Sequence, residues 1–272
     1  MKVVLFCGGL GTRIRNVSNG LPKPLVPLGV RPMIWHVMRY YAHFGHHDFI
    51  LCLGYKGDEI KKYFLNYDEC LSNNFILSRG GKHIELLHRD IENWRITFVD
   101  TGLSSSIGQR LKAAEPFLRD ESVFLANYSD GLTDCPLPKL IDAFRVRKAV
   151  GMFLSVYPHY TGHFVRHTAD GRVLSVDSVA KANARINGGF FVFSNEIFNH
   201  IQPGEELVEE PFTRLISKGK LFALGYDGFW RCVDTLKDLE ALENLLNAGR
   251  APWQVWVDQG TSEPRQARAA AQ

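Results

Sequence analysis

Cysteine is sparse in this 272-residue chain: there are five, at positions 7, 52, 70, 135 and 232, an odd number with no C-x-x-C among them. That spacing argues against a disulfide framework and a thiolate zinc site, and it suits a reducing cytoplasm, the expected compartment. A large excess of one sign of charge is missing as well. The formal net charge is +3 and the basic residues are dispersed, so no broad nucleic-acid or membrane surface is expected, and an anionic ligand must be held locally. Long apolar runs are missing, and the first residues enter a short strand-like run with no cleavage-site pattern, so neither a signal peptide nor a membrane span is expected. No Ser-His-Asp or Cys-His set stands at a recognisable spacing, and no repeat or linker divides the chain.

What is present is a core-forming pattern. At 45% hydrophobic residues the length fits one large domain, read here as residues 1–250, with a C-terminal extension over 251–272 whose end lacks apolar period and is expected to be disordered. The runs "KVVLFC", "DFILCLGY", "ITFVD" and "SVFLANYSD" alternate at first with helix-period segments, which predicts an α/β fold with a mostly parallel central sheet and flanking helices. "PMIWHVMRYYAHFG" places Ile34, Val37, Met38 and Tyr41 on one stripe between Pro32 and Gly45. "DEIKKYFLNY" and "LPKLIDAFRVRKA" read as further helices, and "GHFVRHTADGRVLSVDS" as a hairpin turning at Asp-Gly. A last helix starts near Thr235, which has capping spacing to Asp238 ahead of Leu236, Leu239, Leu242 and Leu246, and it could pack on the core or on a partner subunit.

The segment "FCGGLGTRIRNVSNGLPKPL" carries the chemistry. Gly9 and Gly11 supply the first half of a dinucleotide fingerprint, but Ile14 occupies its last position, and no Walker sequence appears. Gly8, Gly9, Leu10, Gly11, Thr12 and Arg13 all offer backbone N–H groups, so the stretch is either a phosphate cradle or a plain strand-to-helix turn. Arg13 can fork onto phosphate oxygens. Lys23 sits between Pro22 and Pro24, which stiffen its backbone and aim it.

G-G-L-G-T-R followed by P-K-P resembles the signature of the sugar-1-phosphate nucleotidylyltransferases. The segment from Lys23 to Tyr67, then "WRITFVDTGLSSSIGQRLK", "INGGFFVF" and "GFWRCVDTLKDLEAL", is similar to the glucose-1-phosphate cytidylyltransferases over roughly the first 250 residues. The resemblance implies a nucleotide-diphospho-sugar transferase (Rossmann-like) fold with a sugar-side hairpin region, and an enzyme that joins a nucleoside triphosphate, with CTP leading and UTP or dTTP behind, to a sugar 1-phosphate. It also implies a homo-oligomer and Mg2+ held by Asp130 and Asp234. Arg13, Lys23, Asp130 and Asp234 would be the catalytic set. Taken singly, each aspartate is more often a turn or cap residue, with Asp134 a nearby decoy. Gly8 to Arg13, Lys23, Ser104 and Gln109 would bind the nucleotide, although a polar loop before a helix could also be a cap; Arg110 is a further possibility. Asn187 and Gly188 would face the sugar, where an Asn-Gly turn is the alternative.

The pattern breaks at one place. The family carries Glu-Lys-Pro before the sugar-site asparagine, its lysine holding the sugar phosphate; here the positions fall on Asp177 and Ser178. Asp177 keeps the acidic place, while Lys181 or Arg185 would have to supply the cation. Either the sugar site is rebuilt or the chain is a noncatalytic nucleotide-binding relative. The histidines of "HFGHH", His43, His46 and His47, have no accompanying carboxylate or cysteine and read as a solvated loop.

Overall fold

The computed structural model describes residues 1–9, 11, 20–159, 162–179 and 184–257. Strand Val3–Phe6 lies inside the sheet, parallel to Asp48–Leu53 on one side and to Val123–Tyr128 on the other. Its unbroken apolar run has a simple cause. Val3 and Leu5 enter the core on one face while Val4 and Phe6 enter the core on the opposite face, so no position can be polar. Arg95–Asp100 extends the parallel set beyond Asp48–Leu53. Past Val123–Tyr128 the sheet changes: Phe191–Ser194 runs antiparallel, then Gly151–Val156 antiparallel to it, with Leu221–Tyr226 parallel at the far side. The expected mostly parallel sheet with flanking helices is observed, and the second half is mixed as its pattern indicated.

Helices Met33–His43, Leu137–Arg147 and Leu236–Asn247 cover one face, and Ile107–Ala114 and Glu210–Ser217 cover the other. Met33–His43 is buried nearly all round, including the whole expected stripe Ile34, Val37, Met38 and Tyr41. The final helix packs on the core: Leu239 and Leu242 are buried, and Leu246 closes on Gly29. Trp253, beyond the boundary drawn at residue 250, is also buried in this core, stacked 5.6 Å from Phe229. Residues 258–272, read as a disordered end, lie outside the described residues.

Two features position the site. The carboxyl ends of Val3–Phe6, Asp48–Leu53 and Val123–Tyr128 stand in register, with Phe6 opposite both Cys52 and Tyr128, so Gly8, Gly54 and Asp130 emerge at one edge. A short antiparallel ribbon, Gly131–Thr133 against Trp230–Cys232, then pairs Gly131 with Cys232 and brings the two halves of the chain together there. Two hairpins project from the body. One, Phe75–Ser78 with His83–Leu86, was not among the expected elements. The other, His163–His167 with Val173–Ser178, is the expected Asp-Gly hairpin.

Candidate active site

Lys23 opens a single helical turn, Lys23–Leu25, after Pro22 at φ −66° and ψ 147° and before the buried Pro24. The two prolines leave its backbone little freedom, as the sequence indicated. Its Nζ lies 2.7 Å from Asp234 Oδ1 and also pairs with Asp130 Oδ2. Lys23 and Asp234, 211 positions apart in sequence, therefore meet at one point with Asp130. The ribbon explains how. Asp130 and Val233 flank the Gly131–Cys232 pair, and Val233 N–H donates to the Asp130 carbonyl at 3.0 Å, which fixes Asp234 beside it. Helix Leu236–Asn247 holds Asp234 from the other side: Thr235 and Asp238 form the expected capping box, and Asp238 Oδ2 also accepts from Asp234 N–H at 3.2 Å.

The three side chains are only 17%, 21% and 18% exposed, for Lys23, Asp130 and Asp234 in turn. Burial alone would lower the lysine pKa, but the facing Asp130 charge and the hydrogen bonds to both carboxylates outweigh it and hold it at about 12. Cys232 Sγ lies 3.5 Å from Asp234 Oδ2. Burial, then the two carboxylates, push that thiol up to about 12, so it stays protonated and is no nucleophile at neutral pH. Asp134, the decoy, is occupied elsewhere, accepting from Tyr226 OH at 2.6 Å and Phe229 N–H at 2.8 Å.

On the nucleotide side Gly8 is buried and Gly9 exposed to open space, while Gly11 holds φ 57°. Gly8 is required by crowding: a Cβ there would sit 2.0 Å from Arg110 Nη1. Arg110 is 3% exposed and spreads its guanidinium over five oxygens: the carbonyls of Leu53, Gly102, Leu103 and Gly8, and Thr101 Oγ1. It pins three strand ends together. Leu10, Thr12 and Arg13 lie outside the described residues. Ser104 is exposed in the loop ahead of helix Ile107–Ala114, whose cap is Ser106, accepting from Gln109 N–H at 3.2 Å. Gln109 Nε2 donates to the Gln202 carbonyl at 2.9 Å, so its amide nitrogen anchors the helix to the segment that follows strand Phe191–Ser194.

On the sugar side Asn187 Oδ1 accepts from Gly189 N–H at 2.9 Å, and its Nδ2 faces Tyr128 OH at 3.4 Å. The Gly188 carbonyl accepts from Trp230 Nε1 at 2.7 Å, and a Cβ at 188 would press on Val156 and Trp230. Since Trp230 stands on the ribbon that fixes Asp234, it ties the sugar-side pair to the carboxylate cluster. Asn127, fully buried, receives N–H from Tyr128 and from Phe190, the latter at φ 52°, and so holds the irregular backbone after Gly188. Neither Trp230 nor Asn127 was singled out from sequence; an aromatic in "GFW" and a polar residue inside an apolar strand were the available signals.

The replacements for the family lysine are less favourable. Arg185 is committed: it donates to the Ser155 carbonyl at 2.8 Å and the Tyr226 carbonyl at 3.2 Å, pairs with Asp227, and stacks 4.1 Å over Tyr157. Asp177 stands on the projecting hairpin, where Ser175 Oγ donates to it at 2.9 Å and Arg166 at 3.4 Å. Lys181 lies outside the described residues.

Among solved structures the chain is similar to HddC from Yersinia pseudotuberculosis, with a TM-score of 0.63 at 18% identity over 90% of this chain and 99% of that one. The same protein complexed with GMP-PN gives a TM-score of 0.62 at 18% identity over the same shares. These likenesses show the fold. By sequence the chain is 38% identical over 259 residues to the glucose-1-phosphate cytidylyltransferase of Salmonella typhimurium, covering 94% of this chain and all of that protein. The family described as Nucleotidyl transferase matches residues 2–261. With the fold, the convergent lysine and aspartates and this near-complete match in agreement, the chain belongs to the nucleotidyl transferase family.

Proposed function

We propose that the protein transfers a cytidylyl group from CTP to a sugar 1-phosphate, glucose 1-phosphate or a related sugar, releasing pyrophosphate. The observation that carries this reading is the meeting of Lys23, Asp130 and Asp234 at the carboxyl edge of the sheet. An oxygen of the sugar phosphate attacks the α-phosphorus in line; as that O–P bond forms, the bond to the bridging oxygen breaks and its electron pair leaves with pyrophosphate. Such a displacement asks the protein for position and charge. Lys23, cationic to about pH 12, offers its ammonium to phosphate oxygens, joined by Arg13 and the amides of Gly8 to Thr12. Ser104 and Gln109 are assigned to the nucleotide, and Asn187 and Gly188 to the sugar, with Asp177 and Lys181 as candidates for its phosphate end. CTP is favoured by likeness to the cytidylyltransferases.

The donor set fits magnesium. Two carboxylates that reach one ammonium can reach one divalent ion, and among the described residues no cluster of three or more His, Cys, Asp or Glu could hold a metal. Hard oxygen ligands with the remaining positions left to phosphate and water match the preference of Mg2+ over zinc. When bound, the ion supplies charge neutralisation at the reacting phosphate. We further assign the protein to a homo-oligomer, supported by the half-exposed Ile76, Leu77 and Ile84 on the projecting hairpin, and to the cytoplasm, supported by five cysteines that all stand as free thiols. Among the described residues no helix is long and apolar enough to cross a membrane.

A second reading, a noncatalytic nucleotide binder, is favoured by Ser178 at the family's lysine position and by the commitment of Arg185. A matrix of nucleoside triphosphates against sugar 1-phosphates, read by pyrophosphate release and product mass, separates the two. A CDP-sugar product is expected. A UDP- or dTDP-sugar would replace CTP, and silence across the matrix would leave the binder.

A further inference from the structure

The turn Gly54–Gly57 contains a backbone outlier that none of the assigned roles uses. Lys56 holds φ 52° and ψ 36°, the left-handed region, which is unfavourable for a residue bearing Cβ. Glycines stand at 54 and 57, yet the strained position itself is a lysine. It caps nothing with its side chain at the start of helix Gly57–Leu65. Instead its ammonium crosses to the Gly20 carbonyl and lies 5.8 Å from the centre of the Tyr55 ring. One residue earlier, Tyr55 N–H donates to the Gly8 carbonyl at 3.3 Å. The packing leaves no slack, since a Cβ on Gly54 would sit 2.7 Å from that same Gly8 oxygen.

One turn therefore grips Gly8, where the first strand gives way to the glycine segment, and Gly20, which leads through Leu21 into Pro22-Lys23-Pro24. A glycine at 56 would relieve the backbone; only a long cation reaches Gly20. Strain retained where the side chain makes such a contact points to a role for that contact. We infer that Lys56 is a positioning residue for the nucleotide site, setting the peptide that enters the proline-flanked element so that the Lys23 ammonium meets Asp130 and Asp234. The inference rests on the nucleotide-site reading above. Its effect is expected mainly at the triphosphate end, because Lys56 contacts Gly20 and Tyr55, whereas Asn187 and Gly188 are held by Tyr128 and Trp230.

The test is K56G in the full-length protein, with CTP and glucose 1-phosphate varied separately and CTP binding also measured without the sugar phosphate. Thermal stability should hold or rise as the strain is relieved. The KM for CTP and its dissociation constant should each rise about tenfold, the scale of one lost charge-assisted hydrogen bond, while the KM for glucose 1-phosphate stays within about twofold. K56R should restore most of the CTP affinity. Unchanged CTP affinity in K56G would overturn the inference alone, and so would an equal rise in both KM values accompanied by a fall in Tm. Wild-type protein that neither binds CTP nor turns over would overturn the nucleotide-site reading and this inference with it.

Discussion

The carboxyl edge of the sheet and the hairpin His163–Ser178 are built on opposite physical terms. At the edge, each polar group is held by others: Lys23 by two carboxylates, Asp234 by Lys23 and the capping box, Gly8 by Arg110 and Tyr55. On the hairpin, Phe164, Val165, Val173, Leu174 and Val176 lie 48–63% exposed, and the polar contacts run mainly between neighbouring side chains at the surface. On the proposed assignment the phosphate chemistry sits where preorganisation is strongest, and the departure from the family pattern at Asp177 and Ser178 falls where the scaffold constrains least. A rebuilt sugar end beside a more tightly held phosphate end is the proposal that this contrast puts to the test.

The sharpest way to break the comparison is D130N or D234N. Either leaves the helices and strands intact but removes a charge that meets Lys23, so kcat should fall at least about 100-fold, with the circular dichroism spectrum unchanged. Near-normal pyrophosphate release from either variant would strip the edge of its catalytic role.

Next in size is the alkaline stability carried by Lys23. Its pKa rises from 10.5 to about 12 on folding, because the two aspartates outweigh the burial that alone would lower it. A raised lysine pKa means the native state keeps a proton that the unfolded chain has lost, so the contribution is complete below about pH 10.5 and fades as pH climbs through about 12. The scale is about 2 kcal/mol. Urea titrations of wild type and K23M should therefore differ most at about pH 9, and the gap should narrow toward pH 12; a constant gap would mean that the ion pairs do not stabilise the fold.

Much of this edge was legible in the residues. The strand Val3–Phe6, the proline-fixed Lys23 and the Thr235–Asp238 box are local patterns, each decided by a few adjacent side chains. The candidate aspartates came from motif context, and what sequence withheld was the reason they meet. The Gly131–Thr133 and Trp230–Cys232 ribbon is only three residues per strand and about a hundred positions apart, too short for a periodic signal. Arg110 was opaque for the same reason, since its acceptors come from Gly8, Leu53 and the loop at 101–103. Trp253 escaped because the resemblance behind the boundary ran only to about residue 250, and a single buried ring has no period to extend it. On the hairpin the order of difficulty reverses: Asp-Gly announced the turn, but alternation did not announce that both faces would stay exposed.

T235A sharpens the comparison from the stability side. It deletes the hydroxyl that accepts from Asp238 N–H at 3.3 Å and donates to Asp238 Oδ2 at 2.8 Å, within the same box that holds Asp234 N–H. About 1 kcal/mol should be lost, a fall of roughly 2–4 °C in Tm for a chain of this size. Because Asp234 keeps its own bond to Asp238, turnover should drop only a few fold, far less than in D234N.

The smallest expected effect lies on the hairpin. Arg166 reaches Asp177 at 3.4 Å and Ser175 at 3.2 Å, with the arginine side chain 78% exposed and the aspartate 38%. Solvent screening leaves such a pair little to contribute, so R166A should change stability by less than about 0.5 kcal/mol. Its kinetic signature is the informative part. If the hairpin serves the sugar end, removing the cation beside Asp177 should raise the KM for the sugar 1-phosphate by about threefold, about 0.7 kcal/mol, while the KM for CTP holds. A matching rise in the CTP value would mean that the hairpin is coupled to the phosphate edge, and the division between a fixed chemical end and an adjustable sugar end would be lost.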